Sequence, residues 1–535
     1  MSTPLLFVSF FVMLTTLVAW PAHGQRMAKT EAFTASLTVI PPAITTPRQL
    51  VDIRLGLTNP SAVSQVVTVQ FYISALHPSM RVMPAPHIIT LAPGSVTLVS
   101  TVWAPVAFQG RQHVLAVLQR AGHPDMHLTW PLQIMPVDGL AAGVPYFAGA
   151  WLELGALGFF PLLTITADDI RRVVRRYHER GIRTLIIAYP EFGGCFYYPS
   201  TLPLRWHDYT GCAFNSRTYW YECPAGPKVM DPADHAGERC PWVAQFDVLD
   251  TILSEAERQG MHVILGLGRS GDVSFSLALE DYYIAARNGI PNLIDPVLLN
   301  RRLGQVATVS QAIAGELWAR YGHYHSLYGW VLSHEMTCYD VSRNLYDSVA
   351  AALKRRTMPD RPVMVTPYAA RTCLQPEASI PRHIRESAVD IFLYQDAVGS
   401  SAVSPAYQND PRQRIAELRT EYAELARWHA GTGKHLWASV EVWRASPTWD
   451  QRTSLSGPWA SEVALQVREA GQQAAALVLN EGLFYMDHGV PALTLPAGAK
   501  QASAVKLTDE YCEYAAGFIQ GMQSPKTGSA GDPRG

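Results

Sequence analysis

Eight short apolar runs, each followed by room for a helix, are spread between residues 146 and 480. They are Tyr146 to Leu152, Ile182 to Tyr189, His262 to Leu267, Leu327 to Leu332, Val363 to Thr366, Val389 to Tyr394, Leu436 to Val440 and Ala475 to Asn480. Apolar on both faces, they suit strands covered on both sides. After the first, Thr166 can cap a helix whose Ile170, Val173, Val174 and Tyr177 share one stripe, ended by Gly181. After the second, Phe246, Leu249, Ile252, Leu253 and Ala256 stripe another, stopped by Gly260. Strand–helix alternation argues for a parallel sheet, and eight units favour closure into a (β/α)8 TIM barrel, an α/β fold.

The chain has 535 residues, more than one barrel needs. Residues 27–136 read differently: Thr38–Ile40, Val51–Leu57, Val66–Ile73, His87–Leu91, Val96–Trp103 and His113–Leu118 are strand-length runs parted by turns such as Asn59-Pro60 and Pro93-Gly94. This pattern looks like an all-β immunoglobulin-like sandwich. It serves as a spacer or stabilising flank, with direct sugar binding the alternative. Residues 137–145 form a linker, 146–520 the barrel, and the Gly/Ser/Pro-rich stretch 521–535 a disordered tail.

Residues Pro4 to Trp20 are almost wholly apolar and are followed by small residues at Ala22 and Gly24. That fits a signal peptide over 1–24 and export to the periplasm or medium, although the early Lys or Arg is missing and an uncleaved anchor stays open. No stable membrane insertion is expected after cleavage. A net charge of −2, with no basic block beyond Arg171-Arg172 and Arg175-Arg176, argues against electrostatic capture of nucleic acid or an acidic membrane. All seven cysteines lie beyond the leader, as export to an oxidising compartment favours. Cys195, Cys212, Cys223 and Cys240 fall in one segment, with three connectivities open. Cys338 and Cys373 follow neighbouring strands and could pair, leaving Cys512 over. No C-x-x-C, no second His after His334-Glu335 and no G-x-S-x-G are present, so neither metal, cofactor nor serine-hydrolase chemistry is indicated.

Two of the barrel runs end in a carboxylate: Leu327 to Glu335 and His435 to Glu441. At the carboxyl ends of strands four and seven, both lie where barrel enzymes carry their chemistry. Two carboxyl groups facing one cleft are what glycosidic cleavage needs. Around them Tyr189, Glu191, Arg269, Asp272, His334, Tyr368, Tyr394, Gln395, Asp396, Asn480, Glu481 and Tyr485 crown strand ends, where they can bond sugar hydroxyls. Trp443 is placed to stack on a sugar ring. Residues 192–242 form a long insertion rich in Tyr, Trp and Phe, expected to wall the mouth of the barrel or to pack on itself as a cap.

Several segments resemble a bacterial TIM-barrel family catalogued as a domain of unknown function and grouped with glycosidases. They are Asp247 to Gly268, Gly329-Trp-Val-Leu-Ser-His-Glu335, Val365-Thr-Pro-Tyr368 and Asp390 to Gly399, whose Tyr-Gln-Asp-x-Val-Gly is the most specific part. The resemblance covers roughly 145–500. In placing Glu335 and Glu441 after strands four and seven, the chain is also similar to glycosidase clan A. That likeness implies a retaining mechanism, with Glu335 as acid/base and Glu441 as nucleophile. One departure is His334, where many clan members carry Asn; Asn480-Glu481 supplies such a pair after strand eight, making Glu481 a rival. The substrate class implied is a poly- or oligosaccharide. The alternative is a non-catalytic carbohydrate-binding or matrix-interaction protein on the same scaffold.

Overall fold

The computed structural model describes residues 26–135, 147–152, 154, 165–192, 195–202, 213–215, 220–223, 226–227, 245–268, 296–336, 343–367, 374, 380–399, 411–445, 452–454 and 459–480. The expected leader (1–24), linker (137–145) and tail (521–535) lie outside them.

Nine strands come first: β1 Met27–Lys29, β2 Thr34–Ile40, β3 Ile44–Thr45, β4 Val51–Thr58, β5 Gln65–Ile73, β6 His87–Leu91, β7 Val96–Trp103, β8 Gly110–Gln119 and β9 Met126–Ile134. They form two sheets, β1-β2-β4-β7 and β3-β9-β8-β5-β6, packed as a sandwich. Leu37, Ile53, Leu55, Val69 and Phe71 are fully buried in its core, each contributing about 1.5–3 kcal/mol relative to exposure. Strand β9 is absent from the sequence reading because Pro131 interrupts it. The structure tolerates that proline because β3 pairs only with Gln133 and Ile134, leaving Pro131 at a locally unpaired edge.

The barrel elements follow: β10 Gly149–Trp151, α1 Ala167–Glu179, β11 Thr184–Ile187, the short strands β12 Glu191–Phe192, β13 Cys195–Phe196, β14 Ala213–Asn215, β15 Trp220–Cys223 and β16 Gly226–Pro227, then α2 Val248–Arg258, β17 His262–Gly266, α3 Pro296–Tyr321, β18 Leu327–Met336, α4 Arg343–Arg356, β19 Val363–Pro367, α5 Ile380–Glu386, β20 Ile391–Gln395, α6 Pro411–His429, β21 His435–Glu441, β22 Trp443–Ala445, β23 Arg452–Ser454, α7 Trp459–Gly471 and β24 Ala476–Asn480. Strands β10, β11, β17, β18, β19, β20, β21 and β24 close a parallel barrel, and they are the eight runs of the sequence reading. Local chemistry explains the helix ends. Thr166 accepts from the Asp169 N–H at 3.2 Å while the Asp169 carboxylate accepts from the Thr166 N–H at 3.0 Å, a capping box. Gly181 then closes α1 with φ +85°, a conformation that favours glycine.

Strand β4 is buried along nearly its whole length, which alternation on a one-sided sheet does not produce. Its second face, Asp52, Arg54 and Gly56, lies on the amino-terminal floor of the barrel. Arg54 pairs with Asp52 at 2.7 Å and reaches Asp390, one residue before β20, at 2.7 Å. Lys354 adds 2.8 Å to the same Asp390 carboxylate, and Asp52 pairs with His435, the first residue of β21, at 3.1 Å. Ser36 and Thr38 donate to Asp360 ahead of β19, and a Cβ at Gly56 would collide with that carboxylate. Gln49 donates to the carbonyls of Ala474 and Ala475 below β24. On the far side the guanidinium of Arg26 lies 4.1 Å over the Trp130 ring, which stacks on His262 at the start of β17. The sandwich therefore plugs the barrel's lower end and leaves the carboxyl ends of the strands facing away from it.

Burial opposes ionisation of Asp390, but Arg54, Lys354 and Lys434 outweigh it and hold the carboxyl well below its usual range. Removing one partner of a buried pair strands the other charge. Arg54→Met is expected to cost about 3 kcal/mol, read by urea unfolding at pH 7. Acid acts earlier than the carboxylates require. Burial, helped by the charges of His435 and Lys434 and opposed by the Lys434 carbonyl, lowers His429 to about 4, and burial with Arg26 and Arg361 holds His262 well below its usual range. An unfolded imidazole takes a proton near pH 6.5 that these folded ones refuse, so their contribution is intact above 6.5 and lost as pH falls. Between pH 7.5 and 5 the His429 share alone comes to about 2 kcal/mol, and His429→Gln should flatten that slope.

Candidate active site

The carboxyl end of the barrel is built by strand parity. Trp151 of β10 and Asn480 of β24 both donate to Ser439 Oγ of β21, at 3.1 and 3.2 Å. A contact from β10 to β21 skips the intervening strand and crosses the interior, so these three side chains point inward. Glu441, two residues after Ser439, shares its face and is 2% exposed. It stands in register with Asn480, as Gln395 does with Ser439. Trp151, Gln395, Ser439, Glu441 and Asn480 thus line one arc of the upper barrel.

Two rim residues of the sequence reading do not face inward. Tyr394 is fully buried, its hydroxyl 3.2 Å from His429 Nε2 of α6 and its ring beside Phe392. Asp396 is equally buried, its carboxylate accepting from Glu441 N–H and Val398 N–H at 3.2 Å and from Gln466 of α7. Both face the helical layer and are unavailable to a ligand. The physical reason is alternation: of the consecutive residues 394, 395 and 396, only Gln395 has the inward parity. Burial raises the Asp396 carboxyl to about 6, against the pull of the Gln466 amide, the Val398 and Glu441 N–H groups and Arg414.

Glu335 is the penultimate residue of the fourth barrel strand, its backbone in register with Thr366 of β19. The register jumps between Leu332 and Glu335 while β19 advances one residue, so Ser333 and His334 form a bulge directly before the glutamate. Bulges of this kind re-aim a strand end and are frequent beside active sites. Glu441 ends the seventh strand. Glu191 is almost fully buried in β12, just past the second strand, and Tyr189 is half-buried before it. Trp443 opens β22, which pairs with β23. The side chains of His334, Glu335 and Trp443, and the whole of Arg269, Asp272, Tyr368, Glu481 and Tyr485, lie outside the described residues. So do Cys212, Cys240, Cys338, Cys373 and Cys512 and the side chains of Cys195 and Cys223. Among the described residues no group of three His, Cys, Asp or Glu could hold a metal.

The insertion after β11 is anchored at both ends to α3. Glu316 accepts from Tyr198 at 2.8 Å, from Ser200 at 2.6 Å and from the Thr201 hydroxyl at 2.7 Å. At the return, the Asp247 carboxylate caps α2 and accepts from Tyr321 at 2.6 Å. Those hydrogen bonds hold Glu316 below its usual range although burial opposes them. Sequence reading missed Trp151, Ser439, Glu316 and Gln466. Ser439 was findable, because it sits two residues before Glu441 on the same strand; Glu316 and Gln466 were not, because only the packed helices bring them in.

Residues 226–470 match the model of a domain of unknown function, DUF4434. That stretch, within the expected 145–500, holds both Glu335 and Glu441. No curated protein sequence matches the chain. Solved structures with similarity include a GH2 β-galacturonidase from Eisenbergiella tayi (11% identity, TM-score 0.32, covering 84% of this chain and 63% of that one). A β-D-glucuronidase from Dictyoglomus thermophilum gives 11% identity and TM-score 0.35, covering 84% of this chain and 61% of that one. A cycloisomaltooligosaccharide glucanotransferase from Paenibacillus sp. gives 10% and 0.30, covering 76% and 52%. The chain thus spans about three fifths or less of the length of these structures, and at such TM-scores they carry no inference about its chemistry.

Ser439 accepts two buried donors, and its removal leaves both unpaired. Ser439→Ala is expected to destabilise the protein by on the order of 2 kcal/mol, checked by urea unfolding, whereas a surface Ser→Ala should change little.

Proposed function

We propose that the protein is an exported glycoside hydrolase acting on a poly- or oligosaccharide, with Glu335 as acid/base and Glu441 as nucleophile in a retaining reaction. The observation that carries this reading is positional. Two glutamates stand at the carboxyl ends of the fourth and seventh strands of a closed parallel barrel, Glu335 one residue before the last and Glu441 the last, on the face opposite the docked sandwich. That face is where barrel enzymes carry chemistry. Beside Glu441, Asn480 and Gln395 offer amides suited to sugar hydroxyls, and Trp151 offers an indole edge. Glu335 would protonate the leaving oxygen as Glu441 attacks the anomeric carbon; Glu335 would then take a proton from the water that releases the sugar. This needs the carboxyl groups about 5–5.5 Å apart, against roughly 6.5–9.5 Å for an inverting pair. The apolar stretch Pro4 to Trp20 supports export, and an oxidising compartment would allow the cysteines of the insertion to pair.

Purified protein should hydrolyse members of a panel of aryl glycosides and polysaccharides, releasing product with retained anomeric configuration by NMR. Glu335→Gln and Glu441→Gln should each lower kcat by about a thousandfold or more while leaving the unfolding midpoint within a few degrees. Activity retained in both variants would end the assignment. Saturable binding of a polysaccharide without turnover would favour a non-catalytic carbohydrate-binding barrel. If Glu481→Gln alone were inactive, the nucleophile or acid would lie on strand eight.

A further inference from the structure

We propose that Asp396 and Gln466 are positioning residues for Glu441, clamping its backbone N–H and C=O from the helical side of the barrel wall. The inference rests on the reading of Glu441 as a reacting carboxylate, but its geometry stands apart from it. In a parallel sheet the N–H and C=O of one residue point to the same side. For Glu441 that side is β20, which ends at Gln395 and offers no further ladder partner. Two side chains take the ladder's place. Asp396 Oδ1 accepts the Glu441 N–H at 3.2 Å, and Gln466 Nε2 donates to the Glu441 carbonyl at 2.8 Å. The same Gln466 amide also donates to Asp396 Oδ2, so its two hydrogens tie carbonyl and carboxylate together.

The clamp has its own support. Arg414 of α6 donates to the Asp396 carbonyl at 2.6 Å and forms a bidentate pair with Glu421, both bonds at 2.7 Å. Asp396 and Gln466 are 0% exposed and Arg414 is 1% exposed, so water cannot substitute for any of them. Neither Asp396 nor Gln466 reaches the interior, so neither touches substrate; each acts through the Glu441 backbone. A carboxylate must be held within about 0.5 Å of its working position, and displacement of an ångström can cost on the order of a hundredfold in rate. Substrate affinity, set by other side chains, should barely move.

The test uses Asp396→Ala, Asp396→Asn and Gln466→Leu in the full chain, with two readouts. Deuterium exchange at the Glu441 amide should accelerate at least tenfold in Asp396→Ala, while amides of β17 keep wild-type protection. On whichever aryl glycoside the wild type cleaves, kcat should fall about 10- to 100-fold with KM within twofold. Asp396→Asn, which keeps an acceptor for the amide, should recover part of both. Wild-type exchange at Glu441 in a folded Asp396→Ala protein would overturn the proposal. A rise in KM matching the loss of kcat, or full kcat in Gln466→Leu, would do the same. If Asp396→Ala does not fold, Asp396→Asn and Gln466→Leu carry the test. If the wild type cleaves no glycoside, the hydrolase reading fails while amide exchange still decides the clamp.

Discussion

Everything at the carboxyl end of this barrel depends on what closes the other end. The sandwich lays one face of β2 and β4 across the lower strand ends, where Arg54 is answered by Asp390 and Asp52 by His435. Buried ion pairs of this sort return little net stability, since desolvation offsets their attraction, but they punish any other arrangement of the two domains. Their effect is registration. Arg54 meets Asp390 only if β4 crosses below β20, and Gly56 meets Asp360 only if the sheet lies close. A barrel so plugged has one face left for chemistry.

At that face, parity decides which residues take part. Ser439 and Glu441 share the inner surface of β21, with Trp151 and Asn480 reaching Ser439 from neighbouring walls. One residue of offset sends Tyr394 and Asp396 outward, where they serve the helices instead. The bulge at Ser333-His334 applies the same rule in reverse: two extra residues restore the parity that the strand would have had at Ser333 and deliver the backbone of Glu335 opposite Thr366.

Burial without full compensation sets how the buried histidines and carboxylates hold their protons. His262 and His429 are kept neutral by apolar surroundings and nearby cations. Asp396, by contrast, stays high because burial outweighs its hydrogen-bond donors. Asp390 goes the other way because three cations surround it. The same physical cost of removing charge from water is opposed at one carboxylate by full charges and at the other chiefly by dipoles, and the two end on opposite sides of the ordinary value.

The amino-acid sequence by itself determined the eight barrel strands, the sandwich ahead of them, the caps of the first helices and the placement of Glu335 and Glu441 on strands four and seven. Those are local or periodic properties, written in apolar runs, capping residues and turn glycines. What the tertiary structure decided is which side of each strand end looks inward, and which distant side chains meet it. Tyr394 and Asp396 looked like rim residues because a linear reading cannot count parity where a strand begins to end. Gln466, Arg414 and Glu316 carried no signal because a polar residue on a helix looks solvated until another element packs over it. Strand β9 was hidden by Pro131, whose missing N–H matters only once pairing partners are known. Long-range packing settles such questions because an unpaired N–H, carbonyl or charge is cheap in water and costly once buried.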